Sequence, residues 1–219
     1  RQQHIEYDVS HDAKRNRLVI LTNKDAVDFQ LMWADIDTPD KWHELVPHKK
    51  GALILEVAAF ENFIVWLYRE KALPKIKILS TETNSVTEIT FQEAAYDVSL
   101  DTGLEYNTNM VRFAYTSMTT PRQIFDYDMS TGDRNMVYEQ SVPSGHNAKD
   151  YITKRLWAPI GGDEQEIPIT LLYHKDTKLD GTAPVLLYGY GAYGISIPAN
   201  APIGPLKYLP GLNSPPWVF

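Results

Sequence analysis

Three segments of this chain recur at a fixed distance, and that spacing limits the fold more than any other feature. Val19-Ile20-Leu21-Thr22-Asn23, Val65-Trp66-Leu67-Tyr68-Arg69 and Val111-Arg112-Phe113-Ala114-Tyr115 begin 46 residues apart at each step. Each follows a polar turn and leads through another turn into a further strand-like run: Gln30 to Ala34, Lys75 to Leu79, and Gln123 to Tyr127. A fourth run closes each unit (Trp42 to Val46, Val86 to Thr90, Asn135 to Glu139), and an upstream run opens it (Ile5 to Val9, Leu53 to Ala58, Tyr96 to Leu100). These runs are rich in β-branched and aromatic residues, which suit a pleated, half-buried surface. Glu82-Thr83-Asn84-Ser85 and Ser130-Thr131-Gly132-Asp133 have hairpin-turn composition.

Four strands per repeat of about 40–50 residues is the pattern of a β-propeller blade. One four-stranded sheet cannot bury both of its faces, so blades stack around an axis and cover one another. The expectation is a mainly β chain with about three such blades in residues 1–142. Three blades do not close a ring, since propellers use about 4–8. An irregular all-β sandwich with fortuitous spacing is the competing arrangement. Trp33, Trp66, Tyr68 and Phe125 read as packing residues within the blades. The basic run Lys14-Arg15-Asn16-Arg17 reads as a solvated turn.

The pattern changes after residue 142. Residues 143–150 form a turn-rich hinge around Pro143-Ser144-Gly145-His146-Asn147. Tyr151 to Pro159 and Glu166 to His174 flank Gly161-Gly162-Asp163, a hairpin signal. Thr182 to Tyr188 is a short apolar run bounded by turn residues, as expected of a strand buried on both faces in a parallel sheet. It runs into Gly189-Tyr190-Gly191-Ala192-Tyr193-Gly194. A Gly-rich loop after a buried strand can carry donors toward the oxyanion of an acyl-transfer intermediate, or it can be a tight surface turn.

The stretch from Gly145-His146-Asn147 through Arg155-Leu156-Trp157, Ile167-Pro168-Ile169-Thr170-Leu171-Leu172-Tyr173-His174 and Leu187-Tyr188-Gly189-Tyr190-Gly191-Ala192-Tyr193-Gly194 resembles the prolyl oligopeptidase family of serine peptidases. Within that family it is most similar to the oligopeptidase B (protease II) branch. The resemblance is diffuse in the blades and specific in the Tyr-Gly-Tyr-Gly loop. It implies that residues 1–142 are the last blades of a propeller and that residues 151–200 begin an α/β-hydrolase (peptidase) domain. It implies cleavage of short peptides after Arg or Lys, with Tyr190 helping to stabilise the oxyanion and Tyr193 near the substrate pocket.

The sequence departs from that family in two ways. No Gly-x-Ser-x-Gly nucleophile elbow is present, so no Ser-Asp-His triad can be assigned and the chain alone is expected to be inactive. Residues 201–219 carry Pro202, Pro205, Pro210, Pro215 and Pro216, which oppose a regular helix or central strand. This tail is expected to be out of frame or to reflect an engineered boundary, and the missing initiator Met points to a start upstream. A non-catalytic propeller that binds peptides or another partner is the alternative function.

Composition narrows the partners. A net charge of −7 argues against nucleic acid. No apolar run reaches the roughly 20 residues needed to span a membrane. With no cysteine and no His-Glu-x-x-His spacing, neither a disulfide nor a metal or other cofactor is expected. The cytoplasm is the expected location, the family resemblance implies short peptides as ligands, and exposed blade faces or strand edges make self-association an expectation too.

Overall fold

A computed structural model describes residues 3–143, 145–161, 166–193 and 195–200. Among the described residues, fourteen strands follow one another with two one-turn 3₁₀ segments between them. The first repeat forms β1 (Tyr7–Asp12), β2 (Arg17–Thr22), β3 (Gln30–Asp35) and β4 (His43–Val46). The second forms β5 (Ala52–Ala59), β6 (Phe63–Glu70), β7 (Leu73–Ser80) and β8 (Val86–Ile89). The third forms β9 (Tyr96–Asp101), β10 (Met110–Ser117), β11 (Gln123–Asp128) and β12 (Arg134–Glu139). Each repeat is one four-stranded sheet with its strands in sequence order. That is the meander of a propeller blade, and it replaces the sandwich alternative. A two-stranded antiparallel sheet follows, β13 (Tyr151–Pro159) with β14 (Glu166–His174), in the register Tyr151↔His174 to Pro159↔Glu166.

Local chemistry sets the turns where the sequence places them. Asn84 and Gly132 take positive φ at the tips of the β7–β8 and β11–β12 turns. In the second of these, the Asp128 carboxylate accepts the amides of Ser130 (2.8 Å) and Thr131 (3.2 Å), an Asx turn that fixes the reversal. Between β1 and β2 the chain makes a 3₁₀ turn over Ala13–Arg15, which Asn16 ends in the left-handed conformation.

The chain divides into two compact units. The first holds residues up to Phe91, with Ser99–Phe113 and Asp126–Asn135. The second holds Gln92–Val98, Ala114–Phe125 and the residues from Met136 onward. The third sheet supplies residues to both. In the first unit the core lies between the first two sheets: Val19, Leu21 and Leu31 pack with Ile54, Val57, Ile64, Trp66, Tyr68 and Leu79. Strand β6 is buried on both faces from Phe63 to Tyr68, so its sequence is a continuous apolar run rather than an alternation. Strand β5 carries a bulge between Ile54 and Glu56 that leaves Leu55 unpaired and switches its facing pattern there.

At the end of β6, Glu70 accepts hydrogen bonds from Lys49 and, at 2.9 Å, from Lys75. These two ammonium groups, Lys49 first, lower its carboxyl pKa from 4.5 to about 2 against the opposing effect of burial. A lowered native pKa means stabilisation present above pH 4.5 and lost as pH falls toward 2. Lys49 is 67 % exposed, so solvent screening holds the contribution to about 0.5–1 kcal/mol. Glu70→Gln is expected to lower the unfolding free energy in urea at pH 6 by that amount and to converge on the parent as pH falls to 2 and below. Parallel acid limbs for the two proteins would count against the ion pair.

The segment at 182–188 departs from its sequence expectation. Residues 182–188 are not a buried strand: a single bridge forms at Val185, and Val185, Leu187 and Tyr188 are exposed. An apolar run records the capacity for burial on two faces, but a strand needs neighbouring strands to pair with. Among the described residues this segment gains only that one bridge.

Candidate functional site

The turn between the first and second strands of a blade is a natural place for polar side chains, because backbone groups there leave the ladder. In the first repeat Asp12 ends β1 with its carboxylate fully buried. Arg15 Nη1 reaches Oδ1 at 3.2 Å and Arg17 Nε reaches Oδ2 at 2.8 Å. The Tyr106 hydroxyl donates to Oδ1 at 2.8 Å and accepts the Lys14 amide at 2.9 Å. Arg15 also donates to the Glu61 carbonyl at 3.0 Å and to the Thr81 hydroxyl. The Glu61 amide closes the circuit on the Tyr106 carbonyl at 3.0 Å. One buried carboxylate thereby ties together turns from all three repeats. Burial raises the Tyr106 pKa, and its bond to Asp12 adds to that against the Lys14 amide, so the phenol remains a donor.

The run Lys14-Arg15-Asn16-Arg17 is therefore a turn, as its composition suggests, but it is not a solvated one. The Arg15 and Arg17 side chains are only 23 % and 16 % exposed because Asp12 draws their guanidinium groups inward. Arg17 also lies over the Trp33 ring, which stacks on His43 at 4.5 Å. Chemically this cluster is closed: both carboxylate oxygens are occupied by cationic or hydroxyl donors, leaving no lone pair set aside for proton abstraction. Its role is architectural.

The second unit holds a polar node of its own. Glu93, in the connection before β9, accepts hydroxyls from Ser117 (2.6 Å), Thr119 (2.8 Å), Thr120 (3.0 Å) and Tyr115. Burial pushes the Glu93 pKa upward, and the four hydroxyls together overcome it and leave the carboxyl below its ordinary value. The neighbouring Thr119 carbonyl meets His146 Nε2 at 2.6 Å. A carbonyl can only accept, so Nε2 carries the proton there.

Tyr190 and Tyr193 lie beyond β14 in irregular chain, 49 % and 91 % exposed. Tyr193 has φ of 57°, a conformation that costs a non-glycine residue and suits a turn tip. Ser144 of the Ser144-Gly145-His146 run lies outside the described residues, as do Gly162, Asp163, Gly194 and residues 201–219. His174 Nδ1 accepts the Asp176 amide at 3.3 Å, a local role at the end of β14. Among the described residues no group of three or more His, Asp or Glu side chains is placed to hold a metal ion, and no helix is long and apolar enough to cross a membrane.

Sequence reasoning did not single out Asp12, Glu93 or Tyr106. A signal was present for the strand ends: Tyr-Asp-Val-Ser opens both β1, at Tyr7, and β9, at Tyr96. No spacing rule connects Glu93 to hydroxyls more than 20 residues away.

Comparison with known proteins agrees with this architecture. Residues 1–140 match the N-terminal β-propeller domain of prolyl oligopeptidase. The chain is 35 % identical over 203 residues to dipeptidyl aminopeptidase BI of Pseudoxanthomonas mexicana, covering 91 % of this chain and 28 % of that protein. It superposes on oligopeptidase B from Trypanosoma brucei, solved with covalently bound antipain, with a TM-score of 0.87 and 28 % identity, covering 99 % of this chain and 31 % of that one. Oligopeptidase B from Leishmania major gives a TM-score of 0.84 and 30 % identity over 92 % of this chain and 29 % of that one. The chain thus spans under a third of the length of these relatives. With three consecutive four-stranded blades and a match over most of its length, the chain belongs to the prolyl oligopeptidase family, as a fragment that includes part of the N-terminal propeller.

Proposed function

We propose that this chain is the propeller portion, with the hinge at 143–150 and the opening of the peptidase domain at 151–200, of a cytoplasmic serine oligopeptidase of the oligopeptidase B type. In the whole protein the reaction is hydrolysis of short peptides after Arg or Lys. Tyr190 donates its hydroxyl to the oxyanion, and Tyr193 lines the substrate pocket. The observation that carries this reading is the superposition on Trypanosoma brucei oligopeptidase B across 99 % of the chain. The exposure of Tyr190 and Tyr193 supports a role at a surface that meets a ligand rather than in a core.

The 219 residues themselves contain no nucleophile elbow, and an oxyanion donor can stabilise only an intermediate that a nucleophile has formed. The pure chain is expected to give no turnover of chromogenic Arg or Lys substrates. The positive arm is a chimera in which residues 3–200 replace the matching segment of Trypanosoma brucei oligopeptidase B. It is expected to hydrolyse those substrates, with Tyr190→Phe lowering kcat roughly 10²–10³-fold, the usual effect of losing one oxyanion donor. Inhibitor-sensitive turnover by the pure chain would overturn the first expectation. A folded chimera inactive on Arg and Lys peptides would overturn the function.

A further inference from the structure

The connection between the third sheet and β13 is fastened at both ends. On one side, Lys175 at the end of β14 donates its amide to the Asp150 carbonyl at 2.8 Å, and its ammonium meets the Asp150 carboxylate at 2.8 Å. Within the connection, Asn147 accepts the Lys149 amide at 3.2 Å through its side chain and the Asp150 amide at 3.0 Å through its carbonyl. On the other side, the His146 ring lies 5.8 Å from the Tyr151 ring at 23° and donates from Nε2 to the Thr119 carbonyl at 2.6 Å. The Thr119 end of this bond belongs to the β10–β11 turn.

That turn takes its shape from Glu93. Ser117 Oγ accepts the amides of Thr119 (3.0 Å) and Thr120 (2.8 Å) while donating to Glu93. The hydroxyls of Thr119 and Thr120 themselves reach the two oxygens of the same carboxylate. Ser117 is 1 % and Thr119 8 % exposed, so the direction of the Thr119 carbonyl is set by buried bonds rather than by water. A side chain that precedes β9 therefore aims the acceptor used by a histidine that follows β12. We infer that Glu93, Thr119 and His146 form an anchor that pins the 145–150 connection to the third sheet, and that weakening the anchor at Glu93 releases the connection at His146. Glu93 and His146 act here as positioning residues, and the inference holds whether or not the whole protein is a peptidase.

Hydrogen–deuterium exchange on the 219-residue chain tests the anchor, with the peptide covering β6 and β7 as the reference. His146→Ala is expected to speed exchange across 145–151 about three- to tenfold, the range set by one hydrogen bond. The turn at 115–121 and the reference peptide should be unaffected. His146→Gln, whose side-chain amide can donate to the same carbonyl, is expected to return exchange to within about twofold of the parent. Glu93→Gln is expected to speed exchange both at 115–121 and at 145–151. If Glu93→Gln also loosens the reference peptide, Thr120→Val, which removes one hydroxyl from Glu93, takes its place with the same two-segment expectation. Unchanged exchange at 145–151 in His146→Ala overturns the anchor. So does a Gln that fails to restore protection, or a loosened turn that leaves 145–151 protected.

Discussion

Asp12→Ala is expected to lower the unfolding free energy by about 3–4 kcal/mol. Removing one partner of a buried ion pair costs roughly 3–5 kcal/mol, because the other charge stays behind uncompensated. Two features bear on that range. Arg15 and Arg17 retain 23 % and 16 % side-chain exposure, so water partly relieves their guanidinium groups and the lower end applies. The Tyr106 hydroxyl loses a charged acceptor in the same change, at a cost of about 1.5 kcal/mol or more. Tyr106→Phe alone should cost about 1.5–3 kcal/mol, since it removes both the bond to Asp12 and the acceptor for the Lys14 amide. A double-mutant cycle on Asp12 and Tyr106 should then show a coupling of at least about 1 kcal/mol, as expected for residues in one network. Urea denaturation followed by tryptophan fluorescence reads this, since Trp33, Trp42 and Trp66 all lie in the unit that holds the network. A loss under about 1 kcal/mol for Asp12→Ala would mean that the turns of the three repeats are held by packing alone.

Why the blades were legible in the sequence while this network was not is a matter of range. A strand announces itself through neighbours two residues away, and the 46-residue spacing of Val19, Val65 and Val111 multiplies that local signal by three. Strand ends moved by up to three residues: β1 ends at Asp12 rather than Val9, and Trp42 stands just outside β4 with its indole N–H turned back to the Pro39 carbonyl at 2.9 Å. Asp12 is marked locally only by the Tyr-Asp-Val-Ser run that opens β1 and β9, and nothing local names its partners. Its partners are a pair of arginines that read equally well as a solvated turn and a tyrosine 94 residues further on. Glu93 is hidden for the same reason. The apolar run at 182–188 shows the converse, since composition marks a segment able to be buried on both faces and says nothing of whether partners reach it. The Tyr-Gly-Tyr-Gly loop was recognisable only as a pattern shared with a family, because exposed tyrosines on irregular chain carry no packing signal of their own. The repeat likewise could not say which face of β1 and β9 is covered. Tyr7 and Val9 are exposed whereas Tyr96 and Val98, in the same Tyr-Asp-Val-Ser run, are buried.

Phe113→Ala is expected to be as damaging as the loss of Asp12, for an unrelated reason. Phe113 lies in the strict alternation of β10, where Val111, Phe113, Tyr115 and Ser117 face inward, and it is fully buried. Truncating such a ring removes its transfer energy and leaves a cavity, together about 3–5 kcal/mol. Smaller terms act in the same direction. The Phe91 ring meets Phe113 edge-on at 5.7 Å, an arrangement worth about 0.5–1.5 kcal/mol beyond the area it buries. Arg134 lies 5.3 Å from the Phe113 ring but also 5.1 Å from Phe91, and it donates to the Thr90 carbonyl at 3.0 Å. It therefore keeps its place when one ring is lost, and the cation–π share of the loss stays below about 1 kcal/mol. Cavity formation dominates, so Phe113→Leu, which refills most of the volume, should cost about 1–1.5 kcal/mol. Met136→Ala on the exposed strand β12 should change stability by less than about 0.5 kcal/mol. The ordering Phe113→Ala, Phe113→Leu, Met136→Ala in urea midpoint is the measurement. If Phe113→Ala fell close to Met136→Ala, β10 would not be the buried centre of the third blade.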